Sequence, residues 1–170
     1  DFTVGAFDLN FEKTRSAVID ARNQGADLVV FSELATIGYP PHDRLDRPTF
    51  VDANIRQLER IARLSADGPG IVLGYVDRNL SGSGKLLHNS AALCVGGQVV
   101  ARYHKCLLPT YDVFDEARYF EPGGAARVLH YRGLRLGVSV CEDVWADPDL
   151  DGRSIYHRDP VMELVDGGAN

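Results

Sequence analysis

The apolar positions along this chain follow two spacings, one typical of amphipathic helices and one typical of strands. The continuous apolar run at Asp27–Phe31 predicts a strand buried on both faces, and Ile71–Asp77 predicts another strand. Apolar residues three and four positions apart predict a helix over Phe11–Gln24, with Asn10 as its N-cap. The same spacing predicts a second helix that begins at Pro48, a residue tolerated in a first helical turn.

Two β-hairpins are predicted further along the chain. The first pairs Leu87–Val95 with Gln98–His104 across a Gly-Gly turn, which suits the positive φ angles of a two-residue loop. The second pairs Arg127–Tyr131 with Leu134–Val140 and leads directly to Cys141. Helices that alternate with strands in this way predict the α/β class.

Both ends of the chain resemble interrupted elements. Phe2–Gly5 is typical of the end of a strand, and a last helix is predicted over Pro160–Val165. The segment 166–170 repeats the pattern of 23–27, which leads from a helix into a strand. We therefore expect residues 1–170 to be one domain that is truncated at both ends.

Composition narrows the possible partners. The chain has 170 residues, a net charge of −6 and a pI near 5.3, which disfavours a nucleic acid or an anionic membrane as partner. No apolar run approaches the roughly 20 residues that cross a bilayer, and no signal peptide is recognised. The cysteines are odd in number and form no CxxC pair, so reduced thiols in a cytoplasmic protein are expected. They are Cys94, Cys106 and Cys141.

Three chemically complementary side chains stand at the ends of predicted strands. Cys141 offers a nucleophilic thiol, Glu33 a carboxylate that can accept a proton, and Lys105 a cation that can stabilise an oxyanion. Together they suit acyl transfer at an amide carbon. Residue types alone favour a buried, inert cysteine, a capping or surface glutamate and a solvated lysine. The shared position at strand ends brings the catalytic interpretation level with these alternatives.

No metal site is expected from the sequence. The segment Asp147–Gly152 imitates the start of a calcium-binding loop, but Arg158 stands where the bidentate glutamate belongs. The five histidines share no metal-ligand spacing. A long loop, Cys106–Gly124, concentrates aromatic and acidic residues, and structureless loops of this length are usually functional.

Three segments resemble the catalytic motifs of the nitrilase, or carbon–nitrogen hydrolase, superfamily. They are Phe31–Pro41, Tyr103–Pro109 and Val138–Trp145, in the expected order. The longer run Lys105–Phe120, together with Cys141–Trp145, is similar to the glutaminase domains of glutamine-dependent NAD⁺ synthetases.

The resemblance implies a fold and a reaction. The fold would be the α-β-β-α four-layer sandwich of the nitrilase type, incomplete in this chain. Cys141 would attack the side-chain amide of glutamine and form a thioester. Glu33 would act as general base, and Lys105 would stabilise the tetrahedral intermediate.

Further assignments also follow from the resemblance. Tyr111 and Glu142 match positions that hold the amino-acid end of glutamine, and Glu116 matches a supporting carboxylate near the lysine. No cofactor is expected in this domain. ATP, Mg²⁺ and deamido-NAD⁺ would bind a synthetase domain of the same polypeptide, which would receive the ammonia, and a homo-oligomer is expected.

Two alternatives stay open. One is a stand-alone amidase of the same superfamily that acts on another small amide. The other is a non-catalytic interaction module with the same fold.

Overall fold

The structure, a computed structural model, describes residues 1–146 and 156–170. The calcium-loop look-alike at Asp147–Gly152 and most of the predicted polar loop 146–159 lie outside these residues. Within the described part of the chain, no helix has the length and apolar character needed to cross a membrane.

Helices and strands alternate along the chain, which agrees with the predicted α/β class. The helices are α1 (Phe7–Asn23), α2 (Pro48–Ala62), α3 (Glu116–Tyr119) and α4 (Pro160–Asp166). The strands are β1 (Leu28–Val30), β2 (Gly70–Arg78), β3 (Leu87–Val95), β4 (Gln98–His104), β5 (Leu129–Tyr131) and β6 (Leu134–Leu136). Short 3₁₀ turns lie at His42–Asp46, Arg63–Ser65 and Cys141–Val144.

The chain divides into two compact units. The first contains residues 1–78 and 89–102, and the second contains residues 79–88 and 103–170. Each is described separately below.

The first unit contains most of a four-stranded sheet in the order β1-β2-β3-β4. β1 and β2 are parallel, with Val29 opposite Ile71. The apolar run of β2 is buried from Gly70 to Val76, as its sequence predicts. The main apolar cluster combines residues of α1, α2, β2 and β3, including Phe11, Leu58, Leu73 and Ala92.

Three predictions for this unit are wrong. Phe2–Gly5 forms no strand, and residues 4 and 5 lie in a turn before α1. β1 is not buried on both faces, because it is a three-residue edge strand and Val30 is 68% exposed. Asn10 does not cap α1, which begins at Phe7. Its buried side chain instead accepts a hydrogen bond from Thr3 N and donates to the carbonyl oxygens of Thr3 and Thr36. These partners draw Asn10 into the helix interior, so the helix starts one turn earlier.

The second unit contains the predicted β5–β6 hairpin, which is antiparallel and pairs His130 with Arg135. Its second arm ends at Leu136, so the prediction that this strand continues to Val140 is wrong. The C-terminal segment packs at this point, and a Cβ added to Gly137 would lie 3.0 Å from the Ala169 side chain. Cys141 therefore lies in a turn that follows an extended segment, and not at a strand end.

Candidate active site

Glu33 lies in a turn of the first unit that packs directly against β2. Leu34, the next residue, is fully buried and has a φ of +47°. A Cβ added to Gly74 would lie 2.2 Å from Leu34 N and 2.7 Å from the Glu33 Cα. Only glycine at position 74 lets the turn approach the strand so closely.

A buried amide holds the carboxylate of Glu33. Asn89 Nδ2 donates a hydrogen bond to Glu33 Oε1 at 2.6 Å, and Asn89 is fully buried. Asn89 is not among the site residues predicted from the sequence. The signal in the sequence was an amide side chain within the apolar strand β3. A buried amide needs a hydrogen-bond partner, so such a residue indicates a polar contact in the core.

Lys105 follows β4 in the second unit and is fully buried, so the alternative of a solvated lysine is wrong. Its Nζ donates to both carboxylate oxygens of Glu116, each at 2.9 Å, and Glu116 is 5% exposed. Glu116 is the first residue of α3, so the short helix within the long loop delivers this carboxylate. A buried charge needs such a partner, because desolvation is costly.

Of the three cysteines, Cys141 is exposed, whereas Cys94 and Cys106 are buried. The alternative that it is a buried, inert residue is therefore wrong. It is the first residue of the 3₁₀ turn and has a φ of +45°, a left-handed conformation that is uncommon for a side chain other than glycine. By contrast, burial raises the pKa of the Cys94 thiol to about 12 and also raises the pKa of Cys106. Of the three thiols, Cys141 is therefore the one most accessible for reaction as a thiolate.

Two tyrosines converge on the carboxylate of Glu142, which is 3% exposed. Tyr111 Oη lies 3.0 Å from Oε1 and 2.8 Å from Oε2, and Tyr156 Oη donates to Oε1 at 2.6 Å. The predicted pair of Tyr111 and Glu142 is thus brought together. Tyr156 was missed, and no sequence pattern links it to a residue 14 positions earlier.

The tyrosine hydroxyls keep their protons. The hydrogen bond to Glu142 raises the pKa of Tyr111, while nearby Lys105 opposes this shift. Burial and then the hydrogen bond to Glu142 raise the pKa of Tyr156. Glu142 therefore accepts hydrogen bonds from two neutral phenols.

The second unit thus combines an exposed thiol, a paired buried lysine and a carboxylate held by two phenols. Such a set can supply a nucleophile, a cation for a developing oxyanion and an anchor for an ammonium group. Within residues 1–146 and 156–170, no group of three or more His, Cys, Asp or Glu side chains could hold a metal ion.

The sequence of this chain is similar to those of known proteins over most of its length. Residues 4–149 match the carbon-nitrogen hydrolase profile. A glutamine-dependent NAD(+) synthetase from Synechocystis sp. is 40% identical, and the alignment covers 99% of this chain and 31% of that protein. The chain thus spans about a third of the length of this relative.

Two solved structures share the fold. The glutamine-dependent NAD+ synthetase from Acinetobacter baumannii, in complex with ADP, has a TM-score of 0.74 and 35% identity, covering 86% of this chain and 27% of that one. A mutant amidase from Nesterenkonia sp. AN1, with the acetamide moiety of fluoroacetamide added covalently at its active site cysteine, has a TM-score of 0.76 and 26% identity. That match covers 99% of this chain and 59% of the amidase. The predicted nitrilase-type α/β fold is confirmed.

Proposed function

Because this chain belongs to the carbon–nitrogen hydrolase family, we propose that it hydrolyses glutamine and supplies ammonia to an NAD⁺ synthetase. The observation that carries the proposal is the second unit's combination of an exposed Cys141 with a buried Lys105–Glu116 ion pair. The names of the Synechocystis and Acinetobacter relatives support glutamine as the amide donor.

The proposed reaction has two halves. Cys141 Sγ attacks the side-chain amide carbon of glutamine while Glu33 takes the thiol proton, and Lys105 stabilises the oxyanion. The C–N bond then breaks, and Glu33 returns the proton to the departing nitrogen, which leaves as ammonia. A water molecule gives a proton to Glu33 and attacks the thioester carbonyl, and the thiol is regenerated as glutamate leaves.

In this proposal, Glu142 recognises the α-ammonium group of glutamine. Its carboxylate is buried and positioned by Tyr111 and Tyr156, so it needs little reorganisation when a cation binds. Glu116 holds the Lys105 ammonium group in place through its two carboxylate oxygens.

The remaining partners belong to the same proposal. ATP, Mg²⁺ and deamido-NAD⁺ would bind a synthetase domain of the full-length polypeptide, and we assign none of them to residues of this chain. The odd number of cysteines and the absence of a CxxC pair favour a reducing, cytoplasmic environment. A homo-oligomer is also proposed.

The test uses the full-length protein. Wild type should release ammonia from glutamine and use it for NAD⁺ synthesis, whereas Cys141→Ala should lose glutamine use but keep synthesis from added ammonia. Unchanged glutamine use by Cys141→Ala would refute the proposal.

A second candidate is an amidase that acts on another small amide. The observation in its favour is the fold match over 99% of this chain to the Nesterenkonia amidase. Parallel assays with glutamine and acetamide separate the candidates, since a preference for acetamide with no ammonia-linked synthesis would support the second. A non-catalytic module of this fold is the outcome if neither amide is hydrolysed and a haloacetamide leaves Cys141 unmodified.

A further inference from the structure

One buried carboxylate of the second unit, that of Asp143, accepts four hydrogen bonds. Asp143 is fully buried. Its Oδ1 accepts from the backbone nitrogens of Cys106 and Leu107, each at 2.9 Å. Its Oδ2 accepts from Tyr103 Oη at 2.7 Å and from Val140 N at 3.0 Å.

These donors come from the two segments that carry the candidate catalytic groups. Tyr103, Cys106 and Leu107 flank Lys105 on both sides, and Val140 immediately precedes Cys141. Cys106 and Asp143 are 37 positions apart in sequence. A single carboxylate therefore links the backbone around the lysine to the backbone before the thiol.

The same residue closes a ring around Cys141. Asp143 N donates to Val140 O at 3.1 Å, while the Asp143 side chain accepts from Val140 N. Cys141, enclosed by these two hydrogen bonds, has a φ of +45°. A left-handed conformation costs a residue with a side chain about 1 kcal/mol or more, so it persists only where neighbouring contacts enforce it.

Other side chains cannot reproduce this arrangement. A carboxylate offers two oxygens that accept without donating, whereas an asparagine offers one oxygen and one NH₂ group. In Asp143→Asn, at least one backbone N–H would face another donor, even if the Tyr103 hydroxyl rotates to accept from the amide. Burial and Asp143 both raise the pKa of Tyr103, so its hydroxyl stays protonated and continues to donate.

From this geometry we infer that Asp143 is a positioning residue, which sets the Cys141 thiol and the Lys105 segment in fixed relation without touching the substrate. The inference rests on the proposed function for its kinetic consequence. Its effect on the reactivity of the Cys141 thiol can be measured whether or not the protein hydrolyses glutamine.

The test compares Asp143→Asn with Asp159→Asn in the full-length protein. Asp159 lies in the same unit and accepts a hydrogen bond from Met162 N at the start of α4, a role that asparagine fills equally well. Asp143→Asn should lower kcat for glutamine by about 100-fold, because a displacement of about 1 Å has an effect of this size. KM should stay within about threefold, since the phenols that hold Glu142 are retained. Asp159→Asn should match wild type.

A second readout separates failure of the inference from failure of the proposed function. The rate at which iodoacetamide alkylates Cys141 should change by at least about tenfold in Asp143→Asn, whether or not the protein hydrolyses glutamine. An unchanged alkylation rate together with an unchanged kcat overturns the inference. Absence of glutamine hydrolysis in wild type, with an altered alkylation rate in the variant, overturns the proposed function and supports the positioning role.

Tyr103→Phe covers the case in which Asp143→Asn does not fold. It removes one donor to Asp143 and preserves the ring that packs in the core. We expect a loss of about tenfold in kcat, since one hydrogen bond to a charged group is removed. Wild-type kcat and wild-type alkylation in Tyr103→Phe would overturn the inference.

Discussion

Replacement of Glu116 by glutamine tests whether the buried lysine depends on a charged partner. Lys105 is fully buried and donates to both Glu116 oxygens at 2.9 Å, so the variant retains one accepting oxygen but loses the negative charge. Removing one member of a buried ion pair typically costs 3–5 kcal/mol, so we expect a loss of about 3 kcal/mol in the free energy of unfolding.

Urea denaturation followed by pulse proteolysis measures this loss in the full-length protein. With a denaturant dependence of about 2 kcal/mol per molar, the unfolding midpoint should fall by about 1.5 M. The matched control is Asp52→Asn, which breaks an exposed ion pair to Arg78 whose side chains are 48% and 45% exposed. That pair should contribute no more than about 1 kcal/mol.

A double variant identifies the cause of the loss. Lys105→Met combined with Glu116→Leu removes both charges at similar volume, and such replacements of buried pairs are often neutral or stabilising. The double variant should therefore be more stable than Glu116→Gln. If Glu116→Gln costs no more than Asp52→Asn, or if the double variant is the less stable of the two, the pair is not the buried, mutually dependent contact described above.

Three further predictions concern other parts of the chain. Gly74→Ala should lower ammonia release from glutamine by about 100-fold, because the added Cβ displaces the turn that carries Glu33. The control is Gly124→Ala, whose added Cβ meets nothing within 4 Å and should leave the rate unchanged. Equal rates in the two variants would contradict this prediction. Iodoacetamide at neutral pH should alkylate Cys141 but not Cys94 in the folded protein, as measured by peptide mass, and early modification of Cys94 would count against its burial. A hydrogen bond from Arg158 holds the pKa of Glu163 below its ordinary value of 4.5. Ionised Glu163 therefore stabilises the fold fully above pH 4.5, and this contribution is lost as the pH falls through the lower pKa of the folded state. Glu163→Gln should therefore flatten the acid side of the stability profile measured from about pH 6 to about pH 3, and parallel profiles would refute the assignment.

The sequence predicts the elements whose signal is local. The apolar run of β2 and the helical spacing of α2 match the structure, and β4 ends at His104, directly before Lys105. These succeed because burial of a periodic face decides the local conformation.

The errors have a different origin, which is long-range hydrogen bonding. Asn10 has the composition of an N-cap, but its partners Thr3 and Thr36 draw it into α1. Tyr156 cannot be identified from the sequence pattern, because its role depends on a hydrogen bond to Glu142, which lies 14 positions earlier in the chain. Side chains whose role depends on a distant partner give no periodic signal.

The backbone at Cys141 has an evolutionary consequence. A glycine adopts a φ of +45° without steric cost, so selection for stability alone would place glycine at this position. If Cys141 is the nucleophile proposed above, a cysteine at this position implies a stability–activity trade-off, in which a strained backbone accompanies a reactive side chain. Engineering this domain for stability should leave position 141 unchanged, since the substitution that relaxes the turn also removes the proposed nucleophile.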